Sequence, residues 1–152
     1  MSSDHELAPA VSDRLAYLFK RVQLDLAGLH DQVLAPFGIS AGELAVLLLI
    51  DAHEPGSQQQ IARRLGIDRT SMVELVDDLE AKQLVARRPD TTDRRRKLVE
   101  LTAKGRTTLR RATSASDQAE QQLLAGLDED EADQLRSLLR RIAAAPPHGR
   151  PR

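Results

Sequence analysis

Residues 57–68, SQQQIARRLGID, constrain the fold of this chain more tightly than any other stretch of it. Ser57 and Gln60 have the spacing of a capping box, in which each side chain pairs with the other residue's free backbone N–H. A helix therefore starts here. It places Ile61, Ala62 and Leu65 on one side before Gly66 offers the left-handed conformation that ends a helix. Ile67 is apolar and packs. Asp68 suits the N-cap of a second helix, whose Met72, Leu75, Val76 and Leu79 share a face. The two helices must cross at a tight turn, and Ala62 is small where they approach. The pattern predicts a helix-turn-helix, although an ordinary helical hairpin would satisfy it as well.

The flanking segments favour the first reading. An N-cap at Ser12 predicts a long first helix, with Leu15, Leu18, Val22, Leu26, Leu29 and Val33 recurring at three- and four-residue spacing. Pro36 and Gly38 stop it near Ala35. Ser40 and Glu43 form a further capping box, opening a helix that is apolar almost all round over residues 44–50 and so belongs in the middle of the molecule. Past the helix-turn-helix, residues 84–88 and 97–101 read as strands, joined by a loop at 89–96 too polar for a core; this is the one hairpin signal in the chain. Thr102 opens a long helix to about Gly126. Asp128 and Glu131 cap a last one, with Leu135, Leu138, Leu139 and Ile142 inward. The fold expected is mainly α with a small β-hairpin wing. A winged helix-turn-helix spans residues 40–101 and is carried on a helical dimerisation lobe built from 12–35 and 103–145. The first and last helices have longer apolar faces than a small winged helix can cover, which calls for a second copy of the chain. Residues 1–11 and 146–152 are expected to be flexible.

Composition narrows the chemistry. There is no cysteine, which removes disulfides, thiolate metal sites and cysteine-based catalysis or redox sensing. The histidines are scattered without an i,i+4 pair, so spacing supports no metal site. No His-Glu-x-x-His, Gly-x-Ser-x-Gly or phosphate-binding glycine loop occurs, and neither an enzyme nor a cofactor is expected. Nothing resembles a signal peptide, and the apolar run at 44–50 is too short to cross a bilayer. A soluble cytoplasmic protein with no membrane partner is expected.

Charge points to a partner. The chain carries a formal −1, but residues 58–104 hold 11 Lys/Arg against 8 Asp/Glu. Within 87–97, six bases face two acids. A basic middle between acidic ends suits a nucleic-acid-facing unit. The second helix of the pair would enter the major groove and present Arg69, Thr70, Ser71, Val73 and Glu74, with Asp77 nearby. The wing, through Asp93, Arg94, Arg95 and Arg96, would reach the minor groove, where narrow A·T-rich segments concentrate negative potential. Asp93 lies two residues from Arg95 and can hold its side chain in one rotamer, lowering the entropy lost on binding.

Asp93-Arg94-Arg95, an apolar strand and then Leu101-Thr102-Ala103-Lys104-Gly105 resemble the wing signature of the MarR-type transcription regulators. Phe37-Gly38-Ile39-Ser40, Ile61-Ala62-Arg63-Arg64-Leu65-Gly66-Ile67 and Leu79-Glu80-Ala81-Lys82-Gln83-Leu84-Val85 follow the family pattern in order. The resemblance implies a homodimeric regulator, probing a pseudo-palindromic double-stranded DNA operator with two winged helices and acting as a repressor. It implies that Asp93 orients Arg95 toward the minor groove and that Ser57 contacts phosphate. It also implies a small anionic or phenolic effector bound between the lobes, where Tyr17, Arg21, His30 and His53 are candidate lining residues. The chain departs from the pattern at Glu74 and Asp78, where the family often carries bases, and at Gln83, where it usually carries glycine. The acidic helix supports a competing reading: a helical dimer that acts on other proteins and has a degenerate winged helix.

Overall fold

The computed structural model describes residues 9–52 and 56–145. A single turn, α1 (Pro9–Ser12), precedes α2 (Leu15–Leu34), and a 3-10 turn at Ala35–Phe37 leads to α3 (Ala41–Ala52). Then come β1 (Gly56–Ser57), α4 (Gln58–Leu65), α5 (Arg69–Ala81), β2 (Val85–Pro89), β3 (Lys97–Leu101), α6 (Ala103–Leu123) and α7 (Glu129–Ala144). The long first helix does not start from a Ser12 cap. Ser12 ends α1, and Arg14 takes the N-cap position of α2 without a side-chain bond. The α1 turn also begins inside the segment expected to be flexible; Pro9 suits a first helical position because it has no N–H to leave unpaired.

The apolar helix α3 is central, as its sequence requires. It touches α2, α4, α5, α6 and β3, with Val46, Leu47 and Ile50 fully buried. Its capping box forms, Glu43 N–H donating to Ser40 Oγ at 3.1 Å and Ser40 N–H to Glu43 Oε1 at 3.2 Å. The Glu43 carboxylate is buried, so it needs a partner. Lys82 supplies one across 39 residues of sequence, its Nζ donating at 2.9 and 2.7 Å to the two oxygens. The sheet has three antiparallel strands in the order β1-β3-β2, not two. In β1 Gly56 stands opposite Val99 and Ser57 opposite Leu98; two residues are too few to show alternation in a sequence.

The end of α5 is where the molecule is most tightly tied. Gln83 N–H donates to Glu80 O at 2.9 Å and Leu84 N–H to Leu79 O at 3.0 Å, the paired bonds of a left-handed helix stop. Gln83 takes φ 62°, alone among the described non-glycine residues in its positive φ. The first turn of α6 locks onto this stop. Thr102 N–H donates to Leu84 O at 3.1 Å and Thr102 Oγ1 to Gln83 O at 2.6 Å. Lys104 Nζ donates to Lys82 O at 3.0 Å. Gly105 is packed so closely that a Cβ there would stand 1.9 Å from Leu84 O.

Much of the apolar face of α2, and that of α7, lies outside this core. Leu15, Leu18 and Val22 are exposed, and Leu26, Leu29 and Val33 are only half-buried. No residue of α7 is buried, with Leu138, Leu139 and Ile142 exposed. Val33 packs against the core, but the exposed leucines, valine and isoleucine of α2 and α7 are left uncovered by the described residues of one chain. No single helix among the described residues is long and apolar enough to cross a membrane.

Two substitutions at the α5–α6 joint should act in opposite directions. Gly105→Ala forces backbone apart and should destabilise by about 2 kcal/mol. Gln83→Gly relieves the left-handed residue and should stabilise by about 1 kcal/mol. Urea denaturation at fixed protein concentration measures both.

Candidate nucleic-acid interface

The helix-turn-helix forms as its caps dictate. Ser57 Oγ accepts Gln60 N–H at 3.2 Å and Gln60 Oε1 accepts Ser57 N–H at 3.1 Å. Gly66 closes α4 at φ 65°, with Ile67 N–H donating to Ala62 O at 3.0 Å. Asp68 then starts α5, its Oδ1 accepting Ser71 N–H at 2.9 Å and its Oδ2 the Ser71 hydroxyl at 2.8 Å. Two residues placed at the DNA surface by sequence reasoning are thereby engaged inside the chain. Ser57 is a buried cap, 4% exposed, at the edge of the cleft between α4, α5 and the wing. Ser71 is half-buried and its hydroxyl is given to Asp68. Arg69, Thr70 and Glu74 are exposed on α5, and Val73 is half-buried.

The wing loop is held by its own carboxylates. Asp90 Oδ1 accepts Thr92 N–H at 2.9 Å and Thr92 Oγ1 at 2.7 Å, while Asp90 N–H donates to Arg96 O at 3.0 Å. Asp93 acts on Arg95 differently from the expected guanidinium clamp. Its Oδ1 accepts the Arg95 backbone N–H at 3.0 Å, and its carbonyl accepts Arg96 N–H at 3.0 Å. The carboxylate shapes the turn and so aims the main chain from which the arginine extends.

Between α4, α5 and the wing lies a cleft of about 600 Å³. Arg63, Arg69, Arg95, Arg96 and Lys97 line its walls, and Ala62, Ile67 and Met72 contribute apolar surface. No carboxylate lines it. A cleft walled by one sign of charge focuses potential, and guanidinium groups suit phosphate oxygens. Sequence reasoning named Arg69, Arg95 and Arg96 but passed over Arg63 and Lys97. Lys97 was legible as the end of the basic run, whereas Arg63 sits on an outward face of α4 that only the fold turns toward the wing. Arg94 is exposed outside the cleft lining.

Asp77, which looked out of place on a DNA-reading helix, has an internal partner. Arg87 of β2 donates from Nη2 to Asp77 Oδ1 at 2.6 Å and from Nη1 to Glu80 Oε1 at 3.0 Å.

Among the candidate effector residues, Tyr17, Arg21 and His30 do not line this cleft. Tyr17 is half-buried and Arg21 exposed on α2. His30 Nε2 lies 3.0 Å from Ser116 Oγ, bridging α2 and α6. His53 lies outside the described residues. Among the described residues no three His, Cys, Asp or Glu side chains come together to hold a metal ion.

A helix-turn-helix followed by a hairpin, with a cationic cleft between them, defines a winged helix of the DNA-binding kind. The sequence model of the MarR family matches residues 37–96. The chain is similar to the structure of a transcriptional repressor, CouR, bound to a 23-mer DNA duplex: 37% identity, TM-score 0.85, covering 91% of this chain and 99% of that one. A MarR-family transcriptional regulator from Rhodococcus sp. RHA1 matches at 32% identity and TM-score 0.83, over 90% and 97% of the two chains. CouR from Rhodococcus jostii RHA1 bound to p-coumaroyl-CoA matches at 29% identity and TM-score 0.81, over 93% and 100%. A Thauera aromatica protein, named for transcriptional regulation of the hcr operon, is 36% identical over 106 residues, which are 69% of this chain and 63% of that protein. The chain belongs to the MarR family of transcriptional regulators, as its wing and helix motifs implied.

The caps also set an acid response. Hydrogen bonds from the Ser71 N–H, then from its hydroxyl, hold the Asp68 carboxyl below its ordinary 3.8. A depressed folded value contributes stability above the unfolded value and loses it as pH falls through the folded one. The gap in thermal midpoint between wild type and Asp68→Ala should therefore be full at neutral pH and shrink below pH 3.8.

Proposed function

We propose that the chain is a homodimeric, sequence-specific repressor whose DNA affinity is lowered by a small-molecule effector. The observation that carries this reading is the carboxylate-free cleft between α5 and the wing, with its five cations. Bound to a duplex, α5 enters the major groove with Arg69, Thr70, Val73 and Glu74 toward base edges, Glu74 accepting from a cytosine amino group. The Asp93 turn directs Arg95 into the adjacent minor groove, with Arg94 and Arg96 beside it. Arg63 and Lys97 neutralise phosphates. The five cleft cations of each winged helix, ten per dimer, put the steepest log–log salt slope at roughly −9.

The uncovered faces of α2 and α7 support the dimer. Leu138, Leu139 and Ile142 are 44%, 40% and 64% exposed in the single chain, and burying what remains exposed of each is worth about 1 kcal/mol. Two copies joined there present two winged helices to half-sites about one helical turn apart. The relative bound to p-coumaroyl-CoA, a phenolic and anionic thioester, supports the effector class. Tyr17, Arg21 and His30 lie along α2, and none of them lines the cleft. The reading as a protein-binding dimer with a degenerate winged helix drew on the acidic α5, and it weakens because Asp77 and Glu80 are paired within the chain.

Selection from a random duplex pool should enrich an A·T-flanked pseudo-palindrome; no enrichment at low salt would sink the proposal. Arg95→Ala, which removes one arginine from each subunit, should weaken binding and make the salt slope shallower by about 2. Sedimentation should find a dimer, and Leu138→Glu with Ile142→Glu should yield monomers that bind the duplex far more weakly. Adding p-coumaroyl-CoA to the complex tests release, read as a fall in fluorescence anisotropy of the labelled duplex.

A further inference from the structure

Arg87 joins three elements that a winged helix has to keep in register. It lies on β2, an edge strand of the sheet, and its side chain is only 17% exposed. Its Nη2 donates to Asp77 Oδ1 on α5 at 2.6 Å and reaches Gln58 Oε1 on α4 at 3.5 Å. Its Nη1 donates to Glu80 Oε1 at 3.0 Å, and Glu80 Oε2 accepts the Arg87 backbone N–H at 3.3 Å. Glu80 thus holds both the side chain and the main chain of the strand. β2 pairs with β3 in register through Arg87 opposite Val99, so a constraint on Arg87 is a constraint on the whole hairpin.

The carboxylates are solvent-exposed, at 58% for Asp77 and 45% for Glu80. Exposed pairs add little to stability. Their geometry is more informative: a planar fork held by two carboxylates one helical turn apart permits one orientation. We propose that Asp77 and Glu80 are positioning residues, which hold the wing against the recognition helix through Arg87 and so set where Arg95 meets the minor groove. This rests on the reading of the wing as a minor-groove element. It reverses the simple electrostatic expectation that carboxylates on α5 only oppose DNA.

The test uses the full-length protein and two duplexes from the selection, identical in the core but flanked by A·T or by G·C pairs. Asp77→Asn with Glu80→Gln keeps the shapes and removes two negative charges. Positioning predicts that this variant loses about five- to twentyfold in affinity for the A·T-flanked duplex, the size of effect seen when networked residues are uncoupled. It should lose little on the G·C-flanked duplex. In an Arg95→Ala background the same pair of substitutions should cost nothing further. Arg87→Lys keeps the charge but loses the two-pronged fork, and should show the same loss of flank discrimination. Tighter binding to both duplexes, or a full additional loss in the Arg95→Ala background, would overturn the proposal. If wild type binds no duplex, or Arg95→Ala changes nothing, the DNA reading itself is wrong and this inference falls with it.

Discussion

Leu84 presents its carbonyl oxygen to the first turn of α6 at a separation that no side chain at position 105 would allow. Thr102 N–H bonds to the same oxygen. This approach joins the last residue of the helix stop after α5 to the first residues of α6. Lys82, two residues earlier, is tied by its carbonyl to Lys104 and by its ammonium to the buried Glu43 of α3. The end of α5 is thus bonded to both the central helix and α6. The left-handed Gln83 between these ties carries a conformational cost of about 1 kcal/mol, which persists because Leu84 must arrive in this one position. The direction of α5, and hence of the cleft beside it, follows from the joint.

What the sequence revealed and what it hid divide by range. Ser40 with Glu43, Ser57 with Gln60, Asp68 with Ser71, Thr102 with Gly105 and Asp128 with Glu131 all form as read. Each of these bonds spans three residues, so local geometry alone decides it. Gly66 is of the same kind. The ties that organise the site are not local. Arg87 meets Glu80, Asp77 and Gln58 at separations of 7, 10 and 29 residues, and no periodicity links an edge-strand arginine to those side chains. The burial of Ser57 was hidden for the same reason, since β1 exists only because β3 returns beside it. The break before α2 was missed because Ser12 is a good cap by residue type, and type does not say which of two neighbouring turns will use it.

The apolar faces show a different limit. Leu138, Leu139 and Ile142 were identified as a face that must be buried, and the periodicity was real. A period identifies a face without saying what covers it. In α3 the covering surface belongs to the same chain, and Val46, Leu47 and Ile50 are fully enclosed. In α7 the described residues leave Leu138, Leu139 and Ile142 exposed, and the same kind of pattern ends at the surface.

Charge in residues 58–104 has to be weighed by what each group touches rather than by its sum. Residues 58–104 carry 8 carboxylates, which makes the basic excess look small. Asp68 and Asp90 accept hydrogen bonds within their own turns, and Asp93 accepts the backbone N–H that bends the wing. Asp77 and Glu80 are paired with Arg87, and Glu100 is paired with Arg88. Only Glu74 and Asp78 of the eight are left outside these bonds. The five cations of the cleft are arranged oppositely, around open space with no acid among them. A duplex approaching this face meets cation at close range, while most of the negative charge is held against the protein's own donors. Since exposed charges beyond about 8–10 Å are largely screened at physiological salt, the local arrangement governs the encounter, and a chain of formal charge −1 can present a cationic face to DNA.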